Sequence, residues 1–309
     1  LPANIYSRLR YGGYFHGAEL YDAKAFVISP AEALAMDPQQ RLLLERGYAA
    51  MHQASLNRFS LSGSQTGVFS GFSLSEYELL PAADRSGNSV YAATGTSASI
   101  CAGRVSYVLG MHGPCVSYDS ACSSALSACH AALRALQLDE CAVGMASGVC
   151  IMLAPVVSVN FAMAGMTSIR GCSHTFDERA DGYARGEAIG AVLLRSGNEG
   201  AEVALQGSAV RQDGRSASLT APNGQAQQGL ITAALADAGT EIDALALNEA
   251  HGTGTALGDP IEAGSLVAAV LSAREEPLAV GGVKANIGHA EPAAGMTGLV
   301  KLALALTCS

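Results

Sequence analysis

Residues 116–125 read Val-Ser-Tyr-Asp-Ser-Ala-Cys-Ser-Ser-Ala, and the rest of the chain is organised around this stretch. The apolar run Cys115–Tyr118 favours a strand, small residues follow Asp119, and Leu126–Leu138 carries apolar residues at helical spacing. The pattern predicts a strand, a tight turn and a helix that begins near Cys122. Because unpaired backbone N–H groups and the helix dipole favour an anion there, we expect a nucleophilic thiolate; a buried structural cysteine is the alternative.

The composition is that of a globular protein with a large core. The 309 residues are 49% hydrophobic and 15% charged, and no Pro/Ser-rich linker divides them, so we expect one compact unit. A net charge of −9 without a run of Lys or Arg argues against nucleic acid and an anionic membrane surface as principal partners. Eight cysteines without a Cys-x-x-Cys pair favour free thiols in a reducing compartment. We therefore expect a cytoplasmic protein, or a plastid or other organellar one if a targeting segment is missing.

One long uncharged stretch raises the question of a membrane span. Ala142–Ile169 has no charged residue and exceeds the roughly 20 residues that cross a bilayer. Three glycines, Pro155 and Asn160 interrupt it. We therefore expect a buried strand, packed irregular structure and a short helix here, with a membrane helix as the alternative.

Strands and helices alternate through the second half of the chain. This alternation predicts an α/β fold with largely parallel strand pairing. The expected strands are Thr66–Phe72, Ala142–Val149, Ala188–Leu194, Ala201–Val210, Leu245–Asn248 and Leu278–Val283, and the expected helices are Gln39–Met51, Tyr91–Val108, Gln225–Ala238, Ile261–Leu271 and Gly295–Leu306.

Three expected strands are each followed by a short segment with a reactive side chain: Cys122 after Cys115–Tyr118, His251 after Leu245–Asn248 and His289 after Leu278–Val283. In an α/β sheet the ligand crevice forms at the carboxyl ends of strands, so the three side chains can converge. Either histidine alone is more often an ordinary loop or core residue. Together with the cysteine they indicate a catalytic site.

A cysteine with two histidines suits few chemistries. Zinc binding is disfavoured because no carboxylate lies at a matching short spacing. A cysteine protease gives the second histidine no role, a Gly-x-Ser-x-Gly elbow is absent from the sequence, and Gly252, Gly254 and Gly258 lack the spacing of a dinucleotide loop. What remains is acyl transfer through a thioester on Cys122, with neutral imidazole N–H groups to hold an enolate oxygen.

Several long motifs resemble those of the β-ketoacyl synthases of the thiolase-like superfamily, specifically ketosynthases of modular or iterative polyketide type. The resemblance covers nearly the whole chain, with the motifs in the family's order. They are Asp-Ser-Ala-Cys-Ser-Ser around Cys122, Glu-Ala-His-Gly-Thr-Gly-Thr-x-x-Gly-Asp-Pro-Ile-Glu-Ala around His251, Val-Lys-Ala-Asn-Ile-Gly-His ending at His289, Met36–Arg41, Ala102–Tyr107, Ala180–Glu187 and Leu219–Gly224.

The resemblance implies a thiolase-like α/β fold of five layers, αβαβα, with two pseudo-repeated halves and mostly parallel central sheets. Residues 1–198 would form the N-terminal half with the nucleophile, and residues 199–309 a truncated C-terminal half with both histidines. The family has a glycine-bearing strand before this segment and a Gly-rich oxyanion motif after it, so we expect the chain to be incomplete at both ends. A homodimer is also implied.

By the same resemblance, Cys122 accepts an acyl chain from the phosphopantetheine arm of an acyl carrier protein. His251 and His289 hold the thioester carbonyl of a malonyl-type extender while carbon dioxide leaves, and the enolate then attacks the acyl group on Cys122. The reaction is a decarboxylative Claisen condensation in polyketide or fatty acid biosynthesis. We expect no metal and no bound cofactor, because the carrier protein brings the substrates.

The resemblance implies supporting roles for five further residues. Lys284 would support the site electrostatically, with a solvated lysine as the alternative. Thr253 and Thr255 match positions that contact the pantetheine arm. Asp259 and Glu262 would order the loop of the first histidine.

Other functions remain open at this point. A degradative thiolase needs a second catalytic cysteine near the end of the chain, where Cys308 lies, and an initiating synthase needs Asn in place of one histidine; His289 argues against both. A non-catalytic scaffold or chain-length partner is the alternative from another class. Other domains of a polyketide synthase are possible partners.

Overall fold

Helices and strands alternate along the computed structural model, which describes residues 1–81, 89–197, 200–201 and 203–308. The expected boundary between the two halves, at residues 198 and 199, lies outside the described residues. The helices are α1 (Ala3–Ser7), α2 (Pro30–Ala35), α3 (Pro38–Gln53), α4 (Arg58–Leu61), α5 (Ala92–Thr96), α6 (Ala98–Leu109), α7 (Ser124–Gln137), α8 (Pro155–Met163), α9 (Gly224–Ala238), α10 (Gly258–Ala269), α11 (Lys284–Ile287) and α12 (Ala294–Thr307). The strands are β1 (Thr66–Gly71), β2 (Cys115–Tyr118), β3 (Val143–Cys150), β4 (Ala188–Arg195), β5 (Leu247–Glu249) and β6 (Ala279–Gly281).

The described strands form two sheets in which parallel pairing prevails, as predicted. The first sheet has the order β2-β1-β3-β4, and β1 pairs in parallel with both neighbours, with Phe69 opposite Val116. Only β4 runs antiparallel, with Gly190 opposite Gly148 of β3. In the second sheet β5 pairs in parallel with β6. Because parallel strands end at one edge, the segments after β2, β5 and β6 can share a crevice.

The first sheet is covered on both faces. Neighbouring residues of β3 point to opposite faces, so Met145 joins the core cluster with Leu43 of α3 and Val105 of α6. Ala146 joins a second cluster with α7 and with Met296 of α12. Helix α12 also contacts β5, where Lys301 forms an ion pair with Glu249. Helix α12 therefore lies between the two sheets, and α7 packs against it on the first sheet.

The predicted strand Ala201–Val210 is wrong for the residues that the structure describes. Residues 203–210 have no regular structure, because their backbone groups form no ladder with another described strand and a strand requires such a partner. Side chains hold this segment instead: His130 and Arg134 of α7 bond to the hydroxyl and the carbonyl of Ser208, at 2.8 and 3.0 Å.

The predicted helix Tyr91–Val108 is interrupted at Ser97, whose backbone is extended with φ −66° and ψ 131°. The reason is the close approach of Gly95 to the turn between α2 and α3. A Cβ at Gly95 would lie 1.9 Å from the carbonyl oxygen of Ala35, and the Gly95 carbonyl accepts the N–H of Asp37 at 2.8 Å. The break therefore lets α5 dock on that turn.

The uncharged stretch Ala142–Ile169 contains β3 and α8. Among the residues that the structure describes, no helix has the length and apolar character that crossing a bilayer would require. All eight cysteines are free thiols.

The N-terminus of α7 packs so closely on the first sheet that only glycine fits at the end of β1. A Cβ at Gly71 would lie 2.5 Å from the backbone nitrogen of Ala125. We therefore expect Gly71→Ala to lower the free energy of unfolding by about 1–3 kcal/mol. The matched control is Gly103→Ala in α6, where a Cβ would meet nothing within 4 Å and should stabilise the helix slightly. Urea denaturation measures both, and equal midpoints would contradict the packing argument.

Candidate active site

Cys122 lies in a 3-10 turn, residues Ala121–Ser123, between β2 and α7. Ala121 has φ +54°, a left-handed conformation that is uncommon for a residue with a side chain. Side chains on both sides hold the turn: Asp119 accepts the N–H of Ala121 at 3.1 Å, and the Ser124 hydroxyl accepts the N–H of Ser120 at 2.9 Å. This bonding fixes the backbone that carries the sulfur.

The pKa of Cys122 is raised rather than lowered. Burial is the largest cause, and Glu291 adds to it. The positive charge of Lys284 and the backbone N–H of Cys122 itself lower the pKa, but they do not outweigh burial. The expectation of a resting thiolate is therefore wrong, and the thiol is neutral until a reaction removes its proton.

The structure brings Cys122 together with both histidines. One sulfur atom and one ring nitrogen from each of His251 and His289 all lie within 4.8 Å of one another. The two rings meet edge to face, with centroids 5.5 Å apart and an interplanar angle of 89°. The three strand ends thus contribute to one site, although Cys122 and His289 are 167 positions apart along the chain.

The backbone of His289 is held by the segment before β4. Its N–H donates to the carbonyl of Ala184 at 2.7 Å, and its carbonyl accepts the N–H of Gly186 at 2.9 Å. The ring packs edge to face on Tyr183, with centroids 4.9 Å apart. Ring Nδ1 accepts the backbone N–H of Glu291 at 3.2 Å.

These contacts set the charge and the tautomer of His289. Burial lowers its pKa well below the usual value, and the nearby His251, Lys284 and Arg185 lower it further, so the ring is neutral. A neutral ring whose Nδ1 accepts a hydrogen bond carries its proton on Nε2. Nε2 is then a donor, which suits an oxyanion.

The same tautomer argues against a metal at this site. One thiol and two imidazoles are ligand types that zinc accepts. A metal ligand must offer a lone pair, but in His289 the Nδ1 lone pair is occupied by the Glu291 N–H and Nε2 bears the proton. The positive charge of Lys284 nearby also disfavours a cation. The donor set therefore does not fit a metal ion.

His251 begins a loop whose peptide groups are bonded on both sides. Glu262 accepts the N–H groups of His251 and Gly252, at 2.5 and 2.7 Å. Gly252 has φ +47°, and its carbonyl accepts the hydroxyl of Thr175 at 2.6 Å. Thr175 was not identified from the sequence, because nothing in its pattern links it to a loop 77 positions away.

The remainder of this loop depends on Asp259. One of its carboxylate oxygens accepts the N–H groups of Gly254 and Thr255, at 3.0 and 3.2 Å. The other accepts the N–H of Phe176 at 2.8 Å. The hydroxyls of Thr253 and Thr255 lie 3.4 Å apart on the same loop, with Thr253 buried.

The ring of His251 is also neutral. The residue is exposed by its accessible surface, but protein atoms packed around the ring displace much of its hydration, and this loss, helped by the charge of Lys284, lowers its pKa to about 4. Both imidazoles are therefore uncharged at neutral pH.

Lys284 lies at the start of α11 and is only 4% exposed. The alternative of a solvated lysine is therefore wrong. Its ammonium forms no ion pair with any carboxylate of the described residues, and burial lowers its pKa. Glu262 opposes this effect most strongly, followed by Cys122. Lys284 thus places a partly compensated positive charge beside the thiol and the rings.

A buried charged network beside His289 was not found from the sequence. Arg185 donates to Glu291 and to Glu76, each at 2.7 Å, and to the hydroxyl of Ser158 at 2.7 Å. Arg185 belongs to the motif Ala180–Glu187, but its partners lie 106 and 109 positions away. No local pattern could have indicated these pairs.

Another cysteine that the sequence raised, Cys308, does not belong to this cluster. Cys308 is exposed at the end of α12. The cluster of metal-type ligands among the described residues contains Cys122 as its only thiol, so a second catalytic cysteine has no support here.

Two family models match this chain: "Beta-ketoacyl synthase, N-terminal domain" over residues 3–199 and "Beta-ketoacyl synthase, C-terminal domain" over residues 202–309. The pikromycin polyketide synthase component PikAII of Streptomyces venezuelae is 46% identical over an alignment 309 positions long, which covers 96% of this chain and 8% of that protein. The chain therefore spans a small part of the curated relatives it matches.

Solved structures show the same likeness. The oxazolomycin ketosynthase domain OzmH KS7 of Streptomyces albus JA3453 matches with a TM-score of 0.88 and 36% identity, over 95% of this chain and 52% of that one. The ketosynthase from module 6 of the bacillaene synthase of Bacillus subtilis 168 matches with a TM-score of 0.84 and 33% identity, over 94% of this chain and 51% of that one. These likenesses confirm the expected thiolase-like α/β fold class. With both family models covering nearly the whole chain, the protein belongs to the β-ketoacyl synthase family.

Proposed function

We propose that the protein is a β-ketoacyl-[acyl-carrier-protein] synthase, an acyltransferase that elongates acyl thioesters by decarboxylative Claisen condensation. The observation that supports this most directly is the meeting of the Cys122 sulfur with two neutral imidazoles within 4.8 Å. A thiol supplies the acyl acceptor, and two uncharged N–H donors suit an enolate oxygen without the cost of burying permanent charges.

In the first step the Cys122 sulfur loses its proton and attacks the carbonyl of an acyl thioester on the carrier protein. The acyl group moves to Cys122, and the thiol of the phosphopantetheine arm leaves with a proton. The charge of Lys284 favours the thiolate that this step requires, and it opposes the effect of burial. The backbone N–H of Cys122 contributes to the oxyanion hole.

In the second step a malonyl-type thioester binds with its carbonyl oxygen against His251 and His289. The bond to its carboxylate breaks, carbon dioxide leaves, and the electron pair forms an enolate that the imidazole N–H groups stabilise. The enolate carbon attacks the acyl carbonyl, and the bond from that carbonyl to the Cys122 sulfur breaks. The product is a β-ketoacyl thioester two carbons longer in its main chain, and the Cys122 thiolate that is released takes up one proton from water.

We assign the substrates to an acyl carrier protein, with Thr253 and Thr255 contacting the pantetheine arm and no bound cofactor required. Other polyketide synthase domains are proposed partners, since the curated relatives are far longer polyketide synthases. The free cysteines agree with a reducing compartment such as the cytoplasm.

A homodimer is proposed from the edge of the first sheet. Among the described strands β2 pairs only with β1, and Val116 on it is 41% exposed. An edge strand presents unpaired backbone N–H and C=O groups, so β2 of a second copy could extend the sheet.

Acylation of Cys122 tests this proposal directly. The purified full-length protein, incubated with an acyl thioester, should gain the mass of one acyl group on the peptide that contains Cys122. Cys122→Ala should abolish the adduct, whereas Cys172→Ala, which removes an exposed thiol, should leave it unchanged. A wild-type protein that forms no adduct would favour the non-catalytic scaffold instead.

The variant His289→Ala should slow the decarboxylation of a malonyl thioester far more than the acylation of Cys122. Release of carbon dioxide from a malonyl thioester should fall about 10²- to 10³-fold, the usual effect of losing one oxyanion donor. Acylation of Cys122 should change much less, because the proposed role of His289 is in the second step. His130→Ala on α7 is the control. Equal losses in both half-reactions would contradict the assignment.

The lowered pKa values of His251 and His289 predict that carbon dioxide release depends on pH in an unusual way on the acid side. A histidine with an ordinary pKa would be about 90% protonated near pH 5.5, and it would lose its neutral form there. His251 has a pKa of about 4 and His289 is also depressed, so both stay neutral as the pH falls through the ordinary value. Carbon dioxide release should therefore be nearly unchanged between about pH 7 and pH 5.5 and fall as the pH approaches about 4. A tenfold loss near pH 5.5 in protein that is still folded by circular dichroism would show that the rings titrate normally.

A further inference from the structure

Glu291 has a backbone conformation that is unfavourable for a residue with a side chain. Its φ is +42°, in the left-handed region that residues with a Cβ rarely adopt. Pro292 follows it, and a proline further restricts the residue before it. Such a conformation persists only where the surrounding structure holds it, and such positions cluster at functional sites.

The side chain of Glu291 supplies that hold. Its two carboxylate oxygens accept hydrogen bonds from Arg185, from Nε at 2.7 Å and from Nη2 at 3.3 Å. Arg185 is itself immobilised: it is 5% exposed, bonds to Glu76 and Ser158, and stacks on Phe161 with 5.1 Å from the guanidinium carbon to the ring centroid. The carboxylate of Glu291 is therefore bonded to a side chain that its other contacts hold in place.

The backbone N–H of Glu291 points at the catalytic-site histidine as a result. It donates to Nδ1 of His289 at 3.2 Å. The segment that carries Arg185 also bonds the backbone of His289, through a parallel bridge between these two residues. One buried segment thus holds the main chain of His289 and, through Glu291, the orientation and tautomer of its ring.

We propose that Glu291 is a positioning residue for His289: its ion pair with Arg185 keeps its backbone left-handed, which aims its N–H at Nδ1 and leaves Nε2–H as the donor that the ring offers. The inference rests on the proposed function, in which that donor stabilises the enolate. Glu291 touches neither substrate nor the reacting sulfur in this role.

Because of this network, we expect the protein to tolerate an uncharged glutamine in place of Glu291. Arg185 has two carboxylate partners, Glu291 and the buried Glu76. If Glu291 becomes Gln, Glu76 still balances the charge of Arg185, and the amide oxygen can still accept from the guanidinium. If Glu291 becomes Ala, nothing holds the left-handed backbone, so it should relax and withdraw the N–H from His289.

The experiment compares Glu291→Ala and Glu291→Gln in the purified full-length protein, with Glu275→Ala at an exposed glutamate as control. Carbon dioxide release from a malonyl thioester should fall about 10- to 100-fold in Glu291→Ala, the range typical of losing the partner that orients a functional histidine. Acylation of Cys122 should stay within about twofold of wild type. Glu291→Gln should recover most of the loss, and Glu275→Ala should match wild type.

Nitrogen NMR of ¹⁵N-histidine-labelled protein gives a second readout that needs no activity. In the wild type the His289 ring, assigned by the signals lost in His289→Ala, should show a proton on Nε2 and none on Nδ1. In Glu291→Ala it should show a mixture of tautomers, and Glu291→Gln should restore the wild-type pattern.

Three results would overturn the inference: an unchanged His289 tautomer in Glu291→Ala, decarboxylation and acylation lost in equal proportion, or Glu291→Gln as impaired as Glu291→Ala. Failure of the proposed function would look different. In that case the wild-type protein would neither acylate Cys122 nor release carbon dioxide, and the NMR comparison would still decide the role of Glu291.

Discussion

Two imidazole rings stay neutral beside a sulfur atom because protein replaces water around them, and the rest of the site is arranged around that constraint: His289 is buried, while His251 is exposed but has protein packed around its ring. Burial is the largest cause of the lowered pKa of both His251 and His289, and Lys284 adds to the effect in each. Since neutral rings donate hydrogen bonds without carrying charge, they can stabilise an enolate that forms only in the reaction. Burial also raises the pKa of Cys122, so neither the sulfur nor either ring carries a charge in the resting site.

Such a site needs loops that stay rigid without regular secondary structure. Buried carboxylates meet this need, because each accepts backbone N–H groups that no helix or strand satisfies. Glu262 and Asp259 do so for the His251 loop, and Glu249 accepts the N–H of Val283 at 2.6 Å, just before Lys284. Asp259 and Glu262 follow the loop that they fix within 11 positions, whereas Glu249 lies 34 positions from Val283.

Local patterns predicted most elements of the fold. The helix predicted at Gln225–Ala238 is observed as α9, and the strand predicted at Ala188–Leu194 is observed as β4, each within one residue. Apolar periodicity suffices for such elements because their hydrogen bonds or core contacts follow from the period itself. It failed for residues 203–210, where a β-prone run has no strand partner among the described residues.

The sequence by itself determined the family, the α/β class and the three side chains that meet, because long motifs carry that information in residue identity. Only the tertiary structure decided the protonation of Cys122, the burial of Lys284, and the chain of contacts from Glu76 through Arg185 and Glu291 to His289. The physical reason is that desolvation and charge interactions depend on distance in space. Arg185 and its two carboxylate partners, for example, lie 106 and 109 positions apart along the chain.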